Sequence, residues 1–277
     1  ATYADERAGN EGGWIYVSNS EIRENTQQGG VGAVTFDKNG NVIDYRMVLT
    51  KTRANCGGGR TPWGAWVSCE EVNNIGQNWQ VDPTGVRQSS VPITLGIDGG
   101  QFESFAYDVR NLDVPRFYVT EDNVRGALQR FTPDSPNWND PWGILYGGGM
   151  TDYLLLYPVE YGSDGYAIRG VFSWTTNRDG AKENAERFYP NTEGIDVAEH
   201  ELFFVSKRFK TMYVLNLDDL TYTNSTTRSG LFDGQPDQLQ RILGDDSNDL
   251  LYFTEDGGRD PGIHCRNEVG QFFTLLE

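Results

Sequence analysis

An all-β chain forming a single six-bladed β-propeller domain over residues 1–277 is the fold this sequence predicts, on three observations. Its 33 glycines, 7 tryptophans, 14 tyrosines and 14 phenylalanines mark a chain dense in turns and in strand-forming aromatics. Short apolar runs recur at close to a fifty-residue spacing, the length of a four-stranded blade. No stretch sustains a helical period, residues 178–187 being the best short candidate. A large β-sandwich is the alternative, and it would not require the fifty-residue period.

The repeated unit is an apolar strand that ends in small or acidic polar residues. It occurs at 14–19, 66–71, 117–122, 171–176, 202–207 and 251–256, so four of the five intervals between starts lie near fifty. The short interval between 171 and 202 implies an abbreviated blade. Within a repeat a turn and a second apolar strand follow, as in Leu128-Gln129-Arg130-Phe131 after 117–122. Asp37-Lys38-Asn39-Gly40, between two apolar runs, carries an Asn-Gly hairpin signal. The six repeated strands are expected to be the first of each blade, lining a central channel and gathering their ends at one mouth.

Composition excludes several partners. A net charge of −17 repels nucleic acid and anionic membrane surfaces and is compatible with bound cations. No run approaches the roughly 18 apolar residues that span a bilayer. Ala1 in place of an initiator methionine fits a removed signal peptide or a trimmed sequence, and Asn224-Ser225-Thr226 is a glycosylation acceptor pattern. Both point to a secreted or extracellular protein. Of the three cysteines, Cys69 and Cys265 are left as a possible disulfide or as two buried thiols if Cys56 binds metal.

Chemistry concentrates in residues 55–71. Cys56 opens the glycine-rich Asn55-Cys56-Gly57-Gly58-Gly59, and the following strand ends in Glu70 and Glu71. A thiol with carboxylates suits iron, and a carboxylate cluster without histidine suits calcium. The same residues also read as a tight turn before a buried strand, with Cys56 as a small hydrophobe. Further acids stand at the ends of equivalent strands: Glu121, Asp122, Glu255 and Asp256. Gathered at one mouth they would repel unless cations sat among them; pointing outward they would be ordinary solvated turn residues. His200 and His264 are too few for a histidine-rich metal site, and His264 reads as a loop hydrogen-bonding residue. No Gly-x-Ser-x-Gly elbow and no phosphate loop occurs, and no catalytic residue is assigned. Trp63, Trp66 and Trp174 read as packing residues.

Asn55-Cys56-Gly57-Gly58-Gly59, Thr61-Pro62-Trp63-Gly64 and Trp66-Val67-Ser68-Cys69-Glu70-Glu71 together resemble the signature of PhoX-type alkaline phosphatases. Shorter pieces follow in family order: Val17-Ser18-Asn19-Ser20-Glu21, Thr120-Glu121-Asp122 with Arg130-Phe131, Glu193-Gly194-Ile195, and Gln235-Pro236-Asp237-Gln238-Leu239. The resemblance is to a short, divergent member. It implies a six-bladed propeller holding iron and calcium, with Cys56 bridging the irons. Glu71, Glu121, Glu193 and Asp237, and also Glu70 and Asp122, are then metal ligands. The implied activity is hydrolysis of phosphate monoesters on a small phosphorylated substrate. Asn191 and Thr192 stand where the family has an arginine, and Ser20 where it often has histidine. Arg60 is a candidate substitute phosphate contact. Two other functions fit the same residues: a calcium-binding propeller without catalysis, acting in adhesion, matrix or assembly, and a calcium-dependent lactonase-like hydrolase.

Overall fold

The computed structural model describes residues 1–22, 27–227, 234–242, 250–259 and 261–276. The chain divides into two compact units, Ala1–Phe105 with Pro133–Gly149, and Ala106–Thr132 with Met150–Glu277.

The first unit opens with an antiparallel sheet of β1 (Thr2–Ala4), β2 (Trp14–Ser20), β3 (Gly29–Phe36) and β4 (Val42–Thr52), in chain order. In β2 the period of two places Ile15 and Val17 inside and Tyr16 outside. Ile15, Val17, Val31, Ala33 and Leu49 form its core, with Val81 added. Trp14 stacks on Phe36 directly across the β2–β3 pair, ring centroids 3.9 Å apart. The β3–β4 turn is held by Asp37, whose carboxylate accepts from the amides of Asn39 and Asn41, each at 2.8 Å. After it come β5 (Asn55–Arg60), β6 (Trp66–Gly76) and β7 (Asn78–Val81), with β6 in the middle. The far end of β6 pairs through Glu71 and Gly76 with the start of β8 (Gly100–Asp108).

In the second unit β9 (Arg116–Glu121) and β10 (Gln129–Pro133) form a hairpin. The long β11 (Gly149–Tyr161) and β12 (Ala167–Thr175) form another, followed by the one α-helix among the described residues, α1 (Arg178–Phe188). Asn177 caps α1 by accepting from the Gly180 amide, and Ala181 and Ala185 bury one face a turn apart. Next, β13 (Thr192–Ala198), β14 (Glu201–Ser206), β15 (Thr211–Asn216) and β16 (Thr221–Thr226) form an antiparallel run in chain order, extended by β12 against β16. β17 (Gln235–Ile242), β18 (Leu250–Asp256), β19 (Ile263–Asn267) and β20 (Phe272–Leu276) make a separate four-stranded sheet. β14 is buried on both faces. Leu202 and Phe204 enter a core with Tyr189, Tyr213 and Tyr222, while Phe203 and Val205 enter a second with Met212, Leu239, Leu251 and Phe253. Each fully buried large apolar side chain contributes about 1.5–3 kcal/mol.

The expected strands exist, but their place in the sheets differs from the expectation. Residues 14–19, 202–207 and 251–256 fall on β2, β14 and β18, each the second strand of its sheet and flanked on both sides. Residues 66–71 likewise fall on β6, between β5 and β7. A strand bonded on both sides carries the strongest apolar pattern, so the sequence marks it and hides the polar strand before it. The segment 171–176 belongs to β12, which joins β11 to β16 and opens no sheet, which accounts for the short interval.

The polar first strands share one irregularity. Pairing breaks register between Asn55 and Gly58 on β5, between Thr192 and Ile195 on β13, and between Pro236 and Leu239 on β17. These β-bulges hold Cys56, Glu193 and Asp237, and a bulge re-aims the side chain it carries. On β13 and β17 the bulges meet: a Cβ on Gly194 would lie 2.3 Å from the Leu239 nitrogen. Farther along the same pair, Asp196 accepts from the Arg241 amide and the Gln240 side chain, each at 2.6 Å.

Gly194→Ala should lower stability by about 1–3 kcal/mol through overpacking, read as a shifted urea midpoint. Asp196 gives a pH test. Burial raises its carboxyl to about 6 despite the amides it accepts from. The folded protein therefore holds a proton that the unfolded chain releases near pH 4, and this contribution to stability is lost as pH rises from about 4 to 6. Unfolding free energies across that window should fall more steeply in the wild type than in Asp196→Asn.

Candidate metal centre

In the first unit the Cys56 bulge is fastened from both sides. Asn19, at the end of β2, donates its amide to the carbonyls of Cys56 at 2.8 Å and Gly57 at 2.6 Å. The Asn19 Oδ1 accepts from the Trp66 indole at 2.9 Å and the Ser68 hydroxyl at 3.0 Å. Asn55 donates to the same Ser68 Oγ at 2.9 Å and accepts from the Thr52 hydroxyl at 2.6 Å. Glycine is required beside this loop, because a Cβ on Gly59 would lie 1.9 Å from the Phe105 carbonyl oxygen. The residues that carry the sequence motif are therefore also the residues that build the loop.

Around the thiol stand carboxylates. Ligand atoms of Glu21, Cys56 and Glu71 all lie within 4.8 Å of one another. Burial first, then the charges of Glu103, Glu21 and Glu71, push the Cys56 thiol far above its ordinary value. One half-buried sulfur and several oxygens so close repel once ionised, and a cation removes the conflict. Their donor chemistry, one soft sulfur with hard carboxylate oxygens, fits iron, and the oxygens fit calcium.

Glu70 is placed apart from this group. Its two oxygens accept from the amides of Arg53 at 2.7 Å and Gln77 at 2.9 Å, fixing the turn before β5 and the turn after β6. Burial raises its carboxyl, and those amides oppose the rise. Successive residues of a strand face opposite sides, so Glu70 and Glu71 cannot serve one centre alike. Arg60 is exposed, with its guanidinium 4.6 Å above the Tyr3 ring.

The second unit gathers another set. Thr120 donates to the Glu193 carbonyl at 2.5 Å, and the Glu121 amide donates to the Thr192 hydroxyl at 2.9 Å, joining β9 to the start of β13. Glu121 itself is buried at the end of β9. The Lys207 ammonium lies 3.0 Å from Glu193, 3.4 Å from Asp256 and 3.7 Å from Asp122. Burial alone would lower its pKa, but Glu193, Asp122 and Asp237 reverse this and hold it well above the usual lysine value. Asp237 is raised by burial, against Lys207, with Asp256 and Asp122 adding to the rise. Asn191 turns the corner before β13 at φ +54°, a left-handed conformation that asparagine tolerates. Its amide donates to Asp122 at 2.7 Å. The arginine expected there is thus replaced by a corner residue whose side chain orients an acid.

Sequence reasoning missed two participants. Glu21 sits within a quoted motif without being singled out, and nothing in the sequence shows that it meets Cys56. Lys207 had a signal: it is the one base among six equivalent strand ends. Other expectations resolve simply. Cys56, Cys69 and Cys265 are all free thiols, the last two buried in strands, so no Cys69–Cys265 disulfide forms. Asn224 lies in β16 with its amide donated to the Ala167 carbonyl at 2.5 Å. His264 is buried between Glu255, 3.1 Å from Nε2, and Thr274, 3.0 Å from Nδ1. Arg130 pairs with Asp152 and stacks 4.3 Å over Trp174. Among the described residues no helix is long and apolar enough to cross a membrane.

The family model described as Alkaline phosphatase PhoX matches residues 10–140. The structure is similar to that of Pseudomonas fluorescens PhoX in complex with vanadate, a transition state analogue. The TM-score is 0.66 at 12% identity, over 98% of this chain and 78% of that one. Its fold class is therefore the all-β propeller. A catalytically inactive variant of virginiamycin B lyase from Staphylococcus aureus with Quinupristin aligns at a TM-score of 0.48 and 14% identity, over 99% of this chain and 72% of that one. No curated protein matches the sequence.

The Asn19 amide ties β2 and β6 to the loop that carries Cys56. Asn19→Ala should cost about 2–4 kcal/mol, from several partly buried hydrogen bonds at about 1 kcal/mol each. Thermal unfolding in chelator reads this loss, and Asn19→Asp, which keeps the acceptor but turns a second acceptor oxygen onto the Cys56 and Gly57 carbonyls, should cost at least as much as alanine.

Proposed function

Because the chain is a PhoX-type protein, we propose that it is a metal-dependent phosphatase, hydrolysing phosphate monoesters at an iron- and calcium-containing centre. One observation carries this reading: the Cys56 sulfur and the Glu21 and Glu71 carboxylates lie within 4.8 Å of one another. Cys56, Glu21 and Glu71 would hold metal here. The family's further carboxylate positions fall on Glu121, Glu193 and Asp237.

Bound cations supply charge neutralisation for a phosphoryl group and an acidified water. The chain's own residues do the holding. Asn19 fixes the carbonyls of the two successive peptides that follow Cys56, so the thiol is presented at a set position before any ion arrives. Cys56 must lose its proton to become a ligand, and the surrounding carboxylates resist this until a cation is present. Metal affinity should therefore rise with pH, with a proton released on binding. This suits a reaction run in alkaline medium, and the acidic chain can accept an anionic substrate because the ions dominate the local field. Secretion, where free calcium is plentiful, completes the proposal.

A second reading has one observation in its favour. The Asn191 side chain is bound to Asp122 where the family carries an arginine, which leaves that position without a guanidinium to clamp phosphate. On that reading the protein is a calcium-binding propeller without turnover.

Elemental analysis of native protein should find iron with calcium. Such protein should hydrolyse p-nitrophenyl phosphate at alkaline pH, lose activity in chelator, and be inhibited by vanadate. Cys56→Ala should lose bound iron and at least about 100-fold in kcat/KM, and Glu71→Gln should bind metal about 10- to 100-fold more weakly. Protein holding both metals that turns over no phosphate monoester would overturn the phosphatase reading and leave the calcium-binding one.

A further inference from the structure

We infer that Lys207 is the built-in counter-cation of the acid cluster in the second unit, a positioning residue whose ammonium holds Asp122, Glu193 and Asp256 where a divalent ion would otherwise be needed. The ammonium has three N–H donors, and three carboxylates face it, at 3.0 Å (Glu193), 3.4 Å (Asp256) and 3.7 Å (Asp122). The arrangement is built from the backbone outward. The Lys207 amide donates to the Asn191 carbonyl at 2.9 Å, and the Asn191 side chain donates to Asp122 at 2.7 Å. One corner residue thus places the cation and one of its anions together. The preceding Ser206 is buried and donates to the Pro190 carbonyl at 2.5 Å, so the stem of Lys207 leaves a fixed strand end. A solvated lysine extends away from the surface; this side chain is 23% exposed and folds over Glu193, whose carboxylate is 2% exposed.

The consequence concerns metal selection. A divalent ion can enter this cluster only by expelling an ammonium already bonded to Glu193, so the cluster of the second unit is poorly available to calcium while Lys207 is in place. The inference does not depend on the phosphatase reading, because its test reads calcium binding and stability rather than turnover.

Calcium titration by calorimetry of chelator-treated protein compares wild type with Lys207→Met, Lys207→Gln and Lys207→Arg. Methionine and glutamine should each bind one additional calcium equivalent, or bind calcium at least tenfold more tightly. Arginine should behave as wild type. In chelator the two neutral variants should melt below wild type, and calcium should restore them, which a purely structural loss of packing would not allow. Calcium affinity and stoichiometry unchanged in both neutral variants would overturn the inference. So would neutral variants that remain unfolded at saturating calcium, since an ion would then fail to replace the ammonium.

Discussion

Like charge held at close range is the constraint on which the rest of this structure depends. Two unit charges about 4 Å apart interact by about 4 kcal/mol at a protein surface, and by more when buried. The chain places a thiol beside two glutamates in one unit and four carboxylates around one lysine in the other. Such groupings persist only if the backbone is rigid enough to refuse relaxation and if positive charge is supplied. Rigidity comes from three bulged strands, β5, β13 and β17, each locked into a sheet by the regular strand that follows it. The two units answer the charge requirement differently. Around Glu193 the positive charge is part of the chain, while the groups described around Cys56 are the Glu21 and Glu71 carboxylates and the Asn19 amide.

The glycines beside the site follow from the same constraint. A bulge that turns a ligand out of the sheet pushes its own backbone against a neighbour, and only a residue without a Cβ fits there. Gly59 against Phe105 and Gly194 against Leu239 are two instances of one solution. The sequence pattern in which a chemically active residue is followed by glycine is therefore a record of packing as well as of ligand access.

Much of the fold was legible in the sequence because buried, doubly paired strands such as β14 and β18 carry uninterrupted apolar runs, and because the Asn-Gly turn at residue 40 and the helix at 178–188 obey local rules. The first strands were not legible. Thr192-Glu193-Gly194 and Gln235-Pro236-Asp237 look like loops, since their polar residues answer to bulges and to neighbouring strands rather than to a period of two. At the site, Cys56 and Glu71 could be read from a motif, whereas the meeting of Glu21 with Cys56 depends on how β2 ends. The adjacency of Glu70 and Glu71 misled for a simple reason: neighbours in a strand face opposite ways, and Glu70 is spent on two backbone amides. Asn191 could be recognised as a departure, but its part in orienting Asp122 required the left-handed corner to be seen.

The Asn19 amide carries an implication for the order of events in the life of the protein. It joins residue 19 to residues 56, 57, 66 and 68, so the loop bearing the thiol has no defined shape until two distant stretches of chain have docked. Contacts of long sequence separation form late, because the entropy of closing the intervening chain is spent before they return anything. An emerging chain would thus expose Cys56 as an ordinary cysteine, without its glutamates gathered around it. On the proposed reading, metal would be acquired only after this unit has folded, and the compartment where folding finishes would determine which ion reaches the thiol first.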